Sequence, residues 1–171
     1  GDALLSVNES FYAIPGESSY AGRPSVFVSL TGCDLRCSWC DTPYAFNDGR
    51  KMSVDDILRQ VDLYGSRLVE VTGGEPLLQE DVYPLMERLL DRGHTVLLET
   101  GGQIDVSRVP GAVIKVMDVK CPASGEAEKV ELAVRSQTAT NYFWAFLPLI
   151  VIASLTYVGA RGFQTYVKQR M

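Results

Sequence analysis

The sequence has little positive charge, little cysteine and almost no histidine. Of its 171 residues, 16 are Lys or Arg and 21 are Asp or Glu, which gives a formal net charge of −5. A balance of this sign suggests neither a basic groove for nucleic acid nor a cationic surface for an anionic membrane. Residues 1–20 contain no apolar stretch of the signal-peptide kind, so we expect no secretory signal and a cytoplasmic, reducing setting.

The few cysteines are distributed unevenly. Cys33, Cys37 and Cys40 fall within eight residues, and the fourth cysteine is the remote Cys121, which we expect to be a buried thiol. Disulfides at this density are typical of small secreted proteins, so a metal or cluster site is the better interpretation. A zinc site usually closes with four ligands, and the sequence has a single histidine, His94. Three thiolates on one loop suit three irons of a [4Fe–4S] cluster, with a zinc knuckle or free thiols as the alternative.

Four short apolar runs rich in β-branched residues predict buried strands. They lie at residues 26–30, 67–72, 95–99 and 112–117. Because the chain between them is long enough for helical crossovers, we expect the four strands to be parallel.

Two helices are predicted at residues 52–64 and 81–92, where apolar side chains recur with helical spacing. The alternation of strand and helix indicates an α/β fold with a parallel sheet and flanking helices. Ligands in such folds bind beyond the carboxyl ends of the strands. The cysteine loop, the sequence GGEP at 73–76, Glu99 and Asp118 all follow strands at that edge.

The chain changes character after about residue 129. Residues 141–160 contain no charged side chain and are long enough to span a bilayer. The basic residues that follow would place the cysteine domain outside the cell, which conflicts with reduced thiols. A buried core helix, a membrane anchor and an altered reading frame remain alternatives for this segment, and membrane contact is not favoured. We therefore divide the chain into a core at 1–129 and an unmatched segment at 130–171.

The spacing C-x3-C-x2-C resembles the signature of the radical S-adenosylmethionine (SAM) superfamily. The GGEP sequence matches a second motif of that superfamily, although alone it could be a simple turn between a strand and a helix. The resemblance implies a partial (βα) barrel in which a [4Fe–4S] cluster binds SAM through an open iron. Reductive cleavage of SAM then yields a 5′-deoxyadenosyl radical.

Two longer stretches are similar to one family within the superfamily, the 7-carboxy-7-deazaguanine synthases. They are GESSYAGRPSVFVSLTGCDLRCSWCDT and VMDVKCPASGE, and the likeness extends over about residues 7–129. It implies a lyase of 7-deazapurine (queuosine) biosynthesis that converts 6-carboxy-5,6,7,8-tetrahydropterin to 7-carboxy-7-deazaguanine with loss of ammonia. It also implies Mg²⁺, a flavodoxin- or ferredoxin-type reductant and a homodimer.

The resemblance assigns roles residue by residue. Cys33, Cys37 and Cys40 would bind the cluster, and the Thr42 hydroxyl would bind Mg²⁺, although a threonine in a turn is also an ordinary structural residue. SAM would be held by Trp39, Gly73, Gly74, Glu75, Asp118 and Lys120. The pterin would be held by Ile14, Gly16, Glu17 and Thr72. A packing indole, a lysine lying along the surface and an exposed glutamate are the plainer interpretations of Trp39, Lys120 and Glu17.

Two positions depart from the family pattern. Pro15 replaces a usual glutamine, and Ser29 replaces an arginine whose fork would bind the substrate carboxylate. These departures motivate a second hypothesis, a radical SAM protein of other specificity such as an activating enzyme. The unmatched segment motivates a third, a cluster-binding remnant without turnover.

Overall fold

A computed structural model describes residues 3–118 and 120–127 of this chain. The elements that lie wholly within these residues include six strands and two α-helices. In chain order these are β1 (Leu4–Ala13), β2 (Ser25–Leu30), β3 (Arg50–Ser53), α1 (Val54–Tyr64), β4 (Leu68–Gly73), α2 (Val82–Asp91), β5 (Thr95–Thr100) and β6 (Ile114–Met117). The predicted segment 130–171, its boundary at 129 and the apolar run 141–160 lie outside the described residues.

The strands form one sheet in the order β3-β1-β2-β4-β5-β6. The four predicted strands, β2, β4, β5 and β6, are all present and pair in parallel. Their sequences are mostly apolar because both faces of a parallel sheet are largely covered, although Glu70 and Thr72 interrupt β4 and Glu99 interrupts β5. The antiparallel strands β1 and β3 extend the sheet beyond β2 and were not predicted.

Both helices begin and end near the predicted residues. The Ser53 hydroxyl caps α1 by accepting a hydrogen bond from the Asp56 backbone N–H at 3.1 Å. Gly65 ends this helix with a φ of +69°, a left-handed conformation that glycine adopts without a steric penalty. Pro84 lies in the first turn of α2, where its missing N–H would have no helical partner.

The main core lies between the sheet and the two helices. Its members are apolar side chains from both layers, including Val28, Val71 and Leu98 of the sheet and Ile57 and Leu89 of the helices. All five are fully buried. Burial of each such side chain stabilises the fold by about 1.5–3 kcal/mol relative to exposure.

The opposite face of the sheet carries a smaller apolar group and a row of polar residues. Leu68, Leu97 and Val116 form the apolar group. Glu70 and Thr72 of β4 alternate with core residues and therefore share this second face. The second face leads up to the carboxyl edge of the sheet, where the candidate site lies.

None of the described helices is both long and apolar enough to cross a membrane.

Candidate active site

A cavity of about 370 Å³ opens at the carboxyl edge of the parallel strands. It is formed by the loops that follow β2, β4, β5 and β6, as the parallel topology predicts. Eleven of the fourteen predicted site residues line it: Cys33, Cys37, Trp39, Cys40, Thr42, Thr72, Gly73, Gly74, Glu75, Asp118 and Lys120. The topology therefore brings the two sequence motifs into one site.

The three cysteines of the loop after β2 are free thiols that are partly buried. The loop turns back on itself through a hydrogen bond from the Cys40 N–H to the Cys37 carbonyl at 3.2 Å. Burial raises the pKa of Cys33, and a hydrogen bond from the Leu35 N–H opposes this rise. The negative charges of Asp34, Glu75 and Cys37 raise the pKa further. A bound cation would reverse this cost, since thiolates are the form that ligates metals.

Gly73 and Gly74 allow the turn after β4 to touch the start of the cysteine loop. A Cβ on Gly73 would lie 2.0 Å from the Leu30 carbonyl oxygen, and one on Gly74 would lie 2.2 Å from that of Gly32. The close approach lets the Gly74 N–H bond to Leu30 O at 3.0 Å and the Glu75 N–H bond to Gly32 O at 2.7 Å. The two motifs are thus held together by backbone hydrogen bonds.

Glu75 is 1% exposed, and both of its carboxylate oxygens are hydrogen-bonded. Oε1 accepts from the Leu77 N–H, Oε2 accepts from the Gly101 N–H, and the Thr100 hydroxyl lies 2.9–3.0 Å from both oxygens. Burial raises the pKa of Glu75, while these hydrogen bonds oppose the rise. The side chain therefore ties the turn after β4 to the end of β5.

A hydrogen-bonded pair, Thr72 and Glu99, borders the other side of the cavity. The Thr72 hydroxyl donates to Glu99 Oε2 at 2.7 Å. Burial raises the pKa of Glu99, the Thr72 hydrogen bond opposes the rise, and the charges of Glu17, Asp118 and Asp41 add to it. An acidic group with this environment can accept hydrogen bonds from a ligand rich in N–H groups.

Asp118 and Lys120, which follow β6, form an ion pair within the cavity wall. Burial lowers the pKa of Lys120, but Asp118 and the thiolates of Cys37 and Cys33 outweigh it, so the net shift is upward. Lys120 therefore supplies positive charge close to the cysteine loop.

Trp39 and Thr42 also lie on the cavity side of the cysteine loop. Trp39 is 54% exposed, so its indole is available as a contact surface rather than packed in the core. The Thr42 hydroxyl is 3.9 Å from Cys40 Sγ and makes no capping bond to the short 3₁₀ turn that follows.

Three predicted substrate residues, Ile14, Gly16 and Glu17, are not part of the cavity wall. They lie exposed in the connection between β1 and β2. Of these, Glu17 is close enough for its charge to raise the pKa values of Glu70 and Glu99. The structure thus places Glu17 beside the second face of the sheet.

Several cavity residues were not predicted as site residues. They are Leu35, Asp41, Phe46, Glu99, Thr100, Gly101 and Gln103. The position of Glu99 and Thr100 at the end of a parallel strand was a usable signal. The prediction of Cys121 as a buried thiol is wrong, because it is exposed at the start of a 3₁₀ turn.

The residues present suit an iron–sulfur cluster held by three thiolates. Three unpaired cysteines line one cavity, Lys120 offsets part of their negative charge, and Gly73 and Gly74 line the same cavity. Three thiolate ligands leave a fourth coordination position for another group.

Comparison with known proteins identifies the family. Residues 27–117 match the model of the radical SAM superfamily. The 7-carboxy-7-deazaguanine synthase of Koribacter versatilis is 53% identical over 124 residues, covering 71% of this chain and 55% of that protein. Its counterpart in Chlorobaculum tepidum is 42% identical over 159 residues, covering 84% of this chain and 72% of that protein.

The fold agrees with that of a solved structure. The crystal structure of QueE from Escherichia coli matches with a TM-score of 0.65 at 22% identity, over 81% of this chain and 79% of that chain. The prediction of an α/β partial barrel of radical SAM type is therefore confirmed. The chain spans 55% and 72% of the two relatives described above. The chain belongs to the radical SAM superfamily and, within it, to the 7-carboxy-7-deazaguanine synthase family.

Proposed function

We propose that this chain carries the catalytic core of a radical SAM lyase. The reaction is the conversion of 6-carboxy-5,6,7,8-tetrahydropterin to 7-carboxy-7-deazaguanine with loss of ammonia, a step of 7-deazapurine (queuosine) biosynthesis. The observation that carries the proposal is the direct backbone bonding of the GGEP turn to the cysteine loop, with Gly74 N to Leu30 O at 3.0 Å and Glu75 N to Gly32 O at 2.7 Å. That contact places three thiols and the glycine turn around one cavity.

Cofactor binding is assigned to the two motifs. Cys33, Cys37 and Cys40 would hold a [4Fe–4S] cluster, and the superfamily implies SAM as its partner. SAM would lie against Trp39, Gly73, Gly74, Glu75, Asp118 and Lys120, all of which line the cavity. When both are bound, they supply the removal of a hydrogen atom from the substrate. We further propose that Mg²⁺ binds at Thr42, whose hydroxyl suits a hard cation.

The pterin is assigned to the acidic side of the cavity. Thr72 and Glu99 hold each other through a 2.7 Å hydrogen bond and can orient a ring with several N–H donors. Glu17, with Ile14 and Gly16, would approach the same ring from the connection between β1 and β2. Leu35 and Phe46 supply apolar wall that limits the access of water to the reacting carbon.

The proposal extends to the setting and the partners of the chain. Three partly buried, unpaired thiols favour a cytoplasmic, reducing compartment. A flavodoxin- or ferredoxin-type protein would supply the electron, and the chain would act as a homodimer.

One observation favours a second candidate, a radical SAM protein of other specificity. Ser29 lies in register with Thr72 and is 7% exposed, so no arginine fork reaches the substrate from this position. A different group would then have to bind the substrate carboxylate, or the chain would take another substrate.

Anaerobic turnover tests the proposal and separates the two candidates. Reconstituted protein with SAM, Mg²⁺, reductant and the tetrahydropterin is expected to form 7-carboxy-7-deazaguanine, detected by mass spectrometry. Fully oxidised 6-carboxypterin is the matched control, because it has no hydrogen at C6 to remove. Formation of 5′-deoxyadenosine without the deazaguanine product would contradict the lyase proposal and favour the second candidate.

A further inference from the structure

The segment that follows β6 packs against the cysteine loop. A carboxylate oxygen of Glu126, Oε1, accepts a hydrogen bond from the Arg36 N–H at 2.8 Å. The Ser38 N–H donates to the Ser124 carbonyl at 3.1 Å, and the Ser38 hydroxyl donates to the Ala123 carbonyl at 2.9 Å. Three hydrogen bonds thus join residues about 90 positions apart in the sequence.

Glu126 is held in place by its own segment. The Ser124 hydroxyl donates to the Cys121 carbonyl at 2.7 Å and accepts from the Glu126 N–H at 3.1 Å. Gly125 takes a left-handed conformation with a φ of +78°, which turns the chain back toward the loop. Ser124 is 1% exposed and Glu126 is 8% exposed, so these bonds are shielded from water. The carboxylate is therefore a fixed acceptor and not a mobile surface charge.

The loop residue that Glu126 contacts is itself fixed on its other side. The Arg36 guanidinium donates to the Cys33 carbonyl at 2.6 Å and to the Leu35 carbonyl at 2.7 Å. It also lies 4.3 Å from the centre of the Phe46 ring. Arg36 is consequently restrained through its side chain by the loop and through its N–H by Glu126.

These contacts fall where the cysteine loop most needs support. Three residues separate Cys33 from Cys37, whereas only two separate Cys37 from Cys40. The longer gap has more rotatable backbone bonds, so ordering it when a metal binds loses more conformational entropy. Glu126 binds the last residue of the longer gap, directly before Cys37.

We propose that Glu126 is a positioning residue that sets the spacing of Cys33 and Cys37 for the cluster. The inference rests on the cluster binding proposed above. It assigns a role in cluster retention to the Ala123–Glu126 segment, which contributes no thiolate of its own to the loop. Substitution of outer residues that orient metal ligands commonly lowers metal affinity by about 10–100-fold.

The test compares Glu126→Ala with Glu126→Gln in the full chain. After anaerobic reconstitution, iron and sulfide are counted per chain, and the loss of cluster absorbance is followed in the presence of an iron chelator. Glu126→Ala is expected to lose iron about 10-fold faster than the unchanged chain. Glu126→Gln retains an amide oxygen that can accept the Arg36 N–H, so it is expected to restore most of the retention. Glu80→Ala, which removes an exposed carboxylate paired with Arg108, is the control.

The outcomes distinguish a failure of the role of Glu126 from a failure of the proposed function. Equal iron loss from Glu126→Ala and the unchanged chain would overturn the inference, as would equal losses from the alanine and glutamine variants. If Glu126→Ala does not fold, Glu126→Asp keeps the charge but shortens the side chain that accepts the Arg36 N–H, so it is expected to lose iron faster than the unchanged chain; equal retention would overturn the inference. Failure of the unchanged chain to take up iron would instead refute the proposed function.

Discussion

Glu70 offers the sharpest prediction of stability because it is a buried carboxyl group with one oxygen atom to which no described residue is hydrogen-bonded. Its side chain is buried at 7% exposure, and within residues 3–118 and 120–127 its Oε2 atom has no hydrogen-bond partner. Burial first, and then the charges of Glu99 and Glu17, raise its pKa from 4.5 to about 7. We predict that Glu70→Gln stabilises the fold at neutral and higher pH, because the amide never acquires a charge.

The sign and the size of this change in the free energy of unfolding follow from the linkage between folding and the protonation of Glu70. Between pH 4.5 and about 7, the unfolded chain has released this proton while the folded chain still holds it, so rising pH favours unfolding. Each unit of difference between the folded and unfolded pKa corresponds to about 1.4 kcal/mol of unfolding free energy. The stabilisation by Glu70→Gln therefore has an upper value of about 3 kcal/mol. Below pH 4.5 the carboxyl is neutral in both states, and the two proteins should have similar free energies of unfolding.

Urea unfolding of both proteins from pH 4 to pH 8, at the same iron content, measures the difference. As the pH rises, the free energy of unfolding of Glu70→Gln is expected to exceed that of the unchanged chain by an amount that grows from near zero to about 1–3 kcal/mol. This difference should level off above pH 7. Glu9→Gln changes an exposed carboxylate of β1 and should show no such growth. A difference that stays constant across this range, or a glutamine variant that is less stable at pH 8, would refute the electrostatic reasoning.

Three further predictions concern packing and the site. Gly74→Ala places a Cβ 2.2 Å from a backbone oxygen and should lower iron uptake, whereas Gly111→Ala, whose new Cβ has no neighbour within 4 Å in the described part of the chain, should not; equal uptake by the two variants would contradict the close approach. Leu89→Ala removes a fully buried side chain and should lower the free energy of unfolding, measured with urea, by about 2–5 kcal/mol. Leu63→Ala removes a side chain that is 88% exposed and should change it little. Cys37→Ser should abolish SAM cleavage and most bound iron, and full iron content in this variant would contradict the assigned ligands.

The parallel strands could be predicted from sequence because their burial leaves short runs that are mostly apolar and β-branched, with single polar residues such as Glu70 between them. Strand β1 could not, since polar residues interrupt it and Tyr12 remains 51% exposed. Its place is set by pairing with β2 and β3 rather than by a local pattern.

The candidate site shows the same division between local motif and tertiary contact. The cysteines and GGEP could be predicted because their chemistry lies in local spacing. The Thr72–Glu99 pair depends on how two strands adjoin, and the Glu126–Arg36 bond joins residues 90 positions apart. No local pattern contains that information. Likewise, the hydrogen bonds that Glu75 accepts from the Thr100 hydroxyl and the Gly101 N–H become visible only when β4 and β5 meet.

The central claim is that the cysteine loop and the GGEP turn form one cofactor site. Low-temperature EPR of the reconstituted, reduced chain, recorded with and without SAM, tests it most directly. We predict a [4Fe–4S]⁺ signal whose g-values shift when SAM is added, because the three cysteines and the glycine turn line one cavity in which SAM would be able to reach the open iron. Absence of a cluster, or a cluster signal unchanged by SAM, would show that the two motifs do not form one cofactor site.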